Sequence, residues 1–474
     1  MNNKKEKSQF QKENDEVLNL VLNERFFNPF KEDYNPDSKS LKHATNLELF
    51  ITSDCNLKCE YCYLMRHGDK LYHKDIRNKN TILNNLKIFL EYAIEQDFKF
   101  NNIDLFTGEI WGTDFGYDIL DTLLEYIDKG LKVKSFAVPT NCTFIRTDEH
   151  LNKMESYIEE FDKKDVRFMI SISIDGKYLE AETRSFKNEE QNNTRDDAFY
   201  NRLFHFAAKH TFLFHPMVSS KSCKNWIKNY KWFLENIEHN DFLPEDTLMM
   251  LEVRNDDWED EDIKYFLEFI EFLIQHNLKR FNNNISDFTN YLFSHKSSPT
   301  ASGYVNISMP FSTEQSCCNV TNTMHLRLGD LAIVPCHRTS YDKFVYGHFD
   351  VEGNKIVGLT SNNMQMAIKT LLQNSITTHH GCDVCPYNDF CIRGCFGAQY
   401  EDNNEIFTPS ESVCKMFKAK YDYLIKRYTE LKVFDTLREE VSPINTHYRL
   451  LLRLEQAIEK IQNHKECEGG NYNC

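Results

Sequence analysis

No stretch of this 474-residue sequence approaches the roughly 18 consecutive apolar residues that span a bilayer. Its opening, "MNNKKEKSQFQKENDE", lacks the apolar core of a secretory signal. Positive charge is in deficit: 56 Lys and Arg against 72 Asp and Glu leave a net −16, which argues against a broad phosphate-binding surface and so against a nucleic-acid partner. There is no Walker-type phosphate loop, no dinucleotide Gly-x-Gly-x-x-Gly and no Ser–His or Cys–His hydrolase signature. Low-complexity tracts and short tandem repeats are also missing. These absences point to a soluble, cytoplasmic protein, long enough for about three domains or for one barrel plus appendages.

Cysteine is what the chain has in excess. Of its 15 cysteines, 11 fall in two groups, 55–62 and 317–414. Without a secretory signal, clustered cysteines suggest metal ligands rather than disulfides. Cys142 and Cys223 stand alone and read as buried free thiols. Cys467 and Cys474 lie in a polar tail, "ECEGGNYNC", and read as exposed and incidental.

Along the chain, residues 1–45 form a polar lead-in with one apolar patch, "VLNLVL", suited to a short helix. From 46 a rhythm begins. Strand-like runs occur at "NLELFITSD", "NIDLFTG" (102–108), "VKSFAVPTN" (133–141), "VRFMISISID" (166–175), "TFLFHPMVS" (211–219) and "TLMMLEV" (247–253). Helical patterns such as "GYDILDTLLEYIDKG" and "DEDIKYFLEFIEFLIQHNL" separate several of them. Strand and helix in six repeats argue for an α/β fold with a parallel sheet and helices outside. Periodicity leaves open whether the six units close into a barrel. The rhythm lapses near 296–316, a loop-like join, and a Cys-rich region without long periodic stretches follows. Helical runs then return, including "THYRLLLRLEQAIEKIQ", with Leu451, Leu454, Ile458 and Ile461 on one stripe.

The first group, "ITSDCNLKCEYCYL", places Cys55, Cys59 and Cys62 at the end of the first predicted strand. A structural zinc site closes with four ligands. Three thiolates suit instead a four-iron cluster with one iron open to a small molecule. Cys-x3-Cys-x2-Cys, with Tyr61 before the last cysteine, resembles the signature of the radical SAM superfamily. The resemblance implies that S-adenosylmethionine chelates the open iron through its amino and carboxylate groups, with the aromatic of Tyr61 against the adenine. Further strand ends carry the likeness. "LFTGE" resembles the family's Gly-Gly-Glu motif, with Thr107 in place of the first glycine, which implies that Gly108 and Glu109 meet the SAM amino group. "PTNC" resembles Thr-Asn-Gly: Asn141 matches and Cys142 departs. "SISIDG" followed by "AETR" implies Ser173 and Arg184 at the ribose and carboxylate.

In the second group, "GCDVCPYNDFCIRGC" gives Cys382, Cys385, Cys391 and Cys395, "SVC" adds Cys414, and Cys317, Cys318 and Cys336 stand upstream. Spacing alone permits zinc sites or iron–sulfur clusters. The pattern resembles the SPASM extension of radical SAM enzymes. Carried over, Cys382, Cys385, Cys391 and Cys414 hold an outer cluster. Cys395 joins Cys336 and one or both of Cys317 and Cys318 at an inner one. Leu331 departs from the glycine usual five residues before Cys336, and the adjacent pair 317–318 is unusual.

The fold implied is a partial (β/α)6 TIM-like barrel over 46–300, a Cys-rich SPASM domain over 301–430 and a C-terminal helix and tail over 431–474. The cofactors implied are S-adenosylmethionine and three [4Fe–4S] clusters. The function implied is a maturase that crosslinks a ribosomally made peptide, a thioether first, using electrons from a donor such as flavodoxin or ferredoxin. Rival readings are an anaerobic sulfatase-maturating enzyme making formylglycine, an RNA-modifying enzyme, and a non-catalytic zinc module. The sequence nominates no general base. "KSCKNWIKNYKWF" reads as an amphipathic helix rather than a base-stacking surface.

Overall fold

A computed structural model of the chain describes residues 46–240, 248–253, 255–294, 307, 323–345, 347–361, 381–382, 384–389, 391, 394–406, 408–440 and 454–464. The lead-in over 1–45, Cys317, Cys318, Leu451, Cys467 and Cys474 lie outside the described residues. The described chain forms two compact units that interleave along the sequence. One takes 46–215, 234–240 and 323–361; the other takes 216–233, 248–294, residue 307 and 381–464.

The first unit is built on a nine-stranded sheet. Its strands are β1 (Asn46–Phe50), β2 (Asn102–Phe106), β3 (Ser135–Thr140), β4 (Arg167–Ile172), β5 (Leu213–Phe214), β6 (Thr323–Arg327), β7 (Ala332–Val334), β8 (Gly347–Glu352) and β9 (Lys355–Ser361). The spatial order is β9-β8-β7-β6-β1-β2-β3-β4-β5. From β6 to β5 all pairs are parallel; β6 through β9 form an antiparallel meander.

Local chemistry explains the repeat. Helices Lys79–Glu95, Asp114–Asp128, Asp148–Lys163 and Asp197–His210 each start on a side-chain cap, from Asn78, Thr113, Thr147 and Asp196 in turn. Each is followed by a left-handed residue that turns the chain back toward a strand: Asp97, Gly130, Asp165 and Thr211. Apolar side chains alternate along the strands. Phe136 and Phe168 meet Phe161 of a covering helix at ring separations of 5.4 and 4.9 Å.

Two differences from the sequence expectation have physical causes. The fifth run splits at Pro216, which has no N–H to give a ladder. Only Leu213–Phe214 joins the large sheet, and Met217–Val218 pairs with Leu251–Glu252, all that remains of the sixth run. The strands over 323–361 were not anticipated, because their buried segments are three to seven residues long and interrupted by turns.

The second unit is mainly helical. Glu271 of helix Asp260–Arg280 accepts from Arg427 Nε at 2.9 Å and from Tyr423 Oη at 2.7 Å, both on helix Glu411–Glu430. The helix Trp226–His239 buries Trp226, Tyr230, Trp232 and Phe233, so its aromatics serve packing. Among the described residues no helix is long and apolar enough to cross a membrane.

Candidate active site

The three-cysteine loop leaves the C-terminal end of β1, the middle strand of the nine-stranded sheet. Its backbone is not free. Lys58 N donates to Ser185 O at 2.8 Å, Glu60 N to Thr183 O at 2.9 Å and Lys187 N to Asn56 O at 3.0 Å, so 56–60 runs as a short ladder against 183–187. Cys62 then stands at the N-cap position of the helix Tyr63–Leu71. Burial, then the nearby Glu109 carboxylate, push the Cys55 thiol up to about 12. Burial likewise raises Cys59 well above its ordinary value. Thiols so placed ionise only against added positive charge, such as a bound metal would bring.

The loop after β2 is fastened to the cysteine loop. Gly108 N donates to Thr52 O at 2.8 Å, and Glu109 N to Asp54 O at 2.7 Å. A Cβ on Gly108 would stand 2.1 Å from Asp54 O, so only glycine permits this approach. Thr107 faces no such limit, and its hydroxyl donates to Thr52 O at 3.3 Å. A side chain is thus accommodated at position 107 and excluded at 108.

Glu109 is buried and held by four donor contacts: Thr140 Oγ1 to both oxygens at 3.1 and 2.9 Å, Asn141 N at 2.7 Å and Trp111 N at 3.2 Å. Burial outweighs these bonds and raises its carboxyl to about 7. A cationic amine beside it would restore the charge. The Asn141 side chain donates to Asn56 Oδ1 at 2.9 Å, which ties the third strand end to the cysteine loop. Cys142 follows with φ of 54°, in the left-handed region, where glycine would be unstrained.

Tyr61 Oη donates to Asp175 Oδ2 at 2.7 Å. Asp175 is fully buried, accepts from Thr183 Oγ1 at 2.6 Å and pairs with Arg184 Nε at 3.0 Å. The Arg184 guanidinium lies 5.4 Å from the Tyr61 ring centroid. Arg184 is thus buried against its own carboxylate and Tyr61, while Ser173, half-buried, is fixed by its N–H to Thr140 O at 2.7 Å.

Sequence reasoning missed a polar row on the sheet face that carries Glu48. Asp104, Glu48 and His325 are register neighbours on β2, β1 and β6. Glu48 receives His325 Nδ1 at 2.9 Å and His337 Nδ1 at 2.8 Å. Burial would raise its carboxyl, but His337 and His325 outweigh that and hold it far below the usual range. Burial, then the Glu48 charge, raise Asp104 to about 6. His337 stacks on Phe106 at 3.9 Å and follows Cys336 directly. Tyr63, next after Cys62, stacks on His337 at 5.9 Å. The available signal was a charged residue inside an apolar alternation, as in "NLELF" and "TMHLR".

In the second unit, Cys382, Cys385, Cys391 and Cys414 line one cavity of about 40 Å³, walled by Tyr387 and Phe417. Burial and the neighbouring Cys391 raise the Cys414 thiol to about 11. Cys395 caps helix Phe396–Asn403 and does not line that cavity. Cys142 and Cys223 are buried free thiols. Among the described residues no three His, Cys, Asp or Glu converge as one metal ion requires; ligands spread over several irons need no such convergence.

No protein-family model matches the chain, and no curated protein matches it. Solved structures do. One described as "Native anSMEcpe with bound AdoMet and Kp18Cys peptide" is 17% identical, covers 81% of this chain and 98% of its own, and superposes at a TM-score of 0.50. "Native anSMEcpe with bound AdoMet" covers the same shares at 16% identity and a TM-score of 0.48. Likeness at this identity speaks for architecture: the chain shares the mixed α/β fold of anSMEcpe.

Proposed function

We propose that the chain is a radical SAM enzyme that modifies a peptide or protein. The observation that carries this is the three-cysteine loop at the end of β1, hydrogen-bonded to the loop that holds the buried Glu109 carboxylate. Cys55, Cys59 and Cys62 would hold three irons of a four-iron cluster. Glu109 would receive the amino group of SAM, with Gly108 allowing the approach. Tyr61, Asn141, Ser173 and Arg184 would frame the adenine, ribose and carboxylate. When bound, this pair supplies a 5′-deoxyadenosyl radical on reduction. The protein's own part is to position SAM and substrate and to exclude solvent. Cys382, Cys385, Cys391 and Cys414 would hold an outer auxiliary cluster. Cys336 and Cys395, with one or both of Cys317 and Cys318, would hold an inner one. An electron donor such as flavodoxin or ferredoxin would supply electrons.

Two reactions fit this arrangement. One is a crosslink in a ribosomally made peptide, thioether or otherwise. The other is oxidation of a peptidyl Cys or Ser to formylglycine, which fits equally well, given the likeness to anSMEcpe, an anaerobic sulfatase-maturating enzyme described with a bound peptide. Mass spectrometry separates them. A crosslink leaves an intramolecular bridge and two hydrogens fewer; formylglycine leaves an aldehyde. Iron and sulfide analysis of anaerobically purified protein tests the shared premise. Stoichiometric zinc without iron would defeat both.

A further inference from the structure

Outside the cradle just described, the first unit holds a second cavity of about 670 Å³, within the size range of small-ligand pockets. None of the three cysteines of the loop, nor Tyr61, Glu109, Asn141, Ser173 or Arg184, lines it. Three observations describe what it wants. Thr113, Thr147 and Asp196, the N-caps of helices Asp114–Asp128, Asp148–Lys163 and Asp197–His210, all stand on its wall. Three positive dipole ends therefore meet at one place. Arg146 and Arg202 line it too. Among the described residues their hydrogen bonds are to backbone carbonyls: Arg146 Nε to Thr143 O at 2.9 Å, Arg202 Nε to Ile145 O at 3.0 Å and Nη2 to Arg146 O at 3.2 Å. Among the described residues neither guanidinium has a carboxylate partner, in a chain with 72 acidic residues. The lone acid on the wall, Asp196, already accepts from Phe199 N at 2.9 Å. Finally, the buried indole N–H of Trp111, on the same wall, has no acceptor among the described residues.

Crowding of like charge sharpens the case. The guanidiniums of Arg146 and Arg195 lie 4.9 and 4.5 Å from the Phe186 ring. Burial and the charge of Arg195 lower the Arg146 pKa. Arg195 is paired with Glu180 at 3.4 Å, so Arg146 is the guanidinium that an anion in the cavity would compensate.

We propose that this cavity is a binding site for an oxyanion, a carboxylate or phosphate group, carried by a small molecule or by an acidic side chain of a peptide. Arg146 and Arg202 supply the charge-assisted donors and the helix ends add to the field. The aromatic rings of Trp111 and Phe144 give an apolar wall for the rest of the ligand. The cavity adjoins the residues of the proposed reaction, since Trp111 N donates to Glu109 and Asn56 accepts from Asn141, but its case does not rest on that reaction. It is linked to the cysteine loop through Asn56, which lines the cavity and donates to Thr143 Oγ1 at 2.8 Å.

Isothermal titration of the iron-loaded, SAM-free protein with phenyl phosphate tests the proposal. Saturable binding that weakens about tenfold in Arg146→Gln and again in Arg202→Gln, and recovers in Arg146→Lys, supports it. Iron content and circular dichroism equal to wild type show that the variants are folded. A Lys355→Gln control on a distant exposed strand should bind as wild type does. Binding absent up to about 10 mM, or unchanged in both arginine variants, overturns it. An acidic peptide that displaces phenyl phosphate makes a peptide side chain the source; failure to displace it makes a free small anion the ligand.

Discussion

The two cysteine sites differ in what surrounds them. The loop of Cys55, Cys59 and Cys62 is surrounded by polar machinery: a buried carboxylate, the Asn141–Asn56 contact and the Asp175–Arg184 pair. Cys382, Cys385, Cys391 and Cys414 line a cavity of about 40 Å³ walled by Tyr387, Phe417 and Tyr421. Three thiols beside polar groups leave room for a reactant to be bound and oriented. Four thiols in a tight, largely apolar pocket leave none, which suits electron transfer or storage.

Substitution at the two sites should separate these roles. Cys59→Ala is expected to abolish SAM cleavage outright, whereas Cys414→Ala should lower iron content and thermal stability while leaving uncoupled SAM cleavage measurable. Equal loss of cleavage in both would erase the contrast. Next in size is Gly108→Ala. A methyl group 2.1 Å from Asp54 O forces the two loops apart. Destabilisation of about 3 kcal/mol is expected in thermal unfolding, with weakened SAM binding.

Asp104 gives a pH test. Its carboxyl is raised from 3.8 to about 6, so the unfolded chain releases this proton first. The folded state therefore loses stability as pH rises from about 4 to about 6, and the loss is complete above that. Asp104→Asn should stabilise the protein by up to about 3 kcal/mol near pH 8 and have no effect near pH 4, read from denaturant midpoints. The smallest effect belongs to Cys142→Gly. Relief of the left-handed strain at φ of 54° opposes the loss of a fully buried side chain, so stability should stay within about 1 kcal/mol of wild type. Cys142→Val, β-branched at the same φ, should be clearly destabilising.

Much of the candidate site's placement was legible in the sequence because it follows strand ends. Cys55, Glu109, Asn141 and Ser173 each come just after a parallel strand with a strong alternating pattern. Local rules carried the helices as well: Asp260–Arg280 has its apolar stripe and Gly130 ends a helix as expected. What escaped depends on pairing between distant segments. Thr323–Arg327 lies beside β1, more than 270 residues away in sequence, a choice of neighbour that no local pattern encodes. The Glu48–His325–His337 cluster escaped for the same reason, since each member is an isolated polar residue until the sheet assembles. The arginine-lined cavity likewise gathers residues from four different strand–helix connections.

The most direct measurement is 5′-deoxyadenosine formation by anaerobically reconstituted protein given SAM and dithionite. The account predicts 5′-deoxyadenosine together with methionine from the wild type, and neither from Cys59→Ala. A wild-type protein that carries full iron and sulfide yet forms neither product would contradict it.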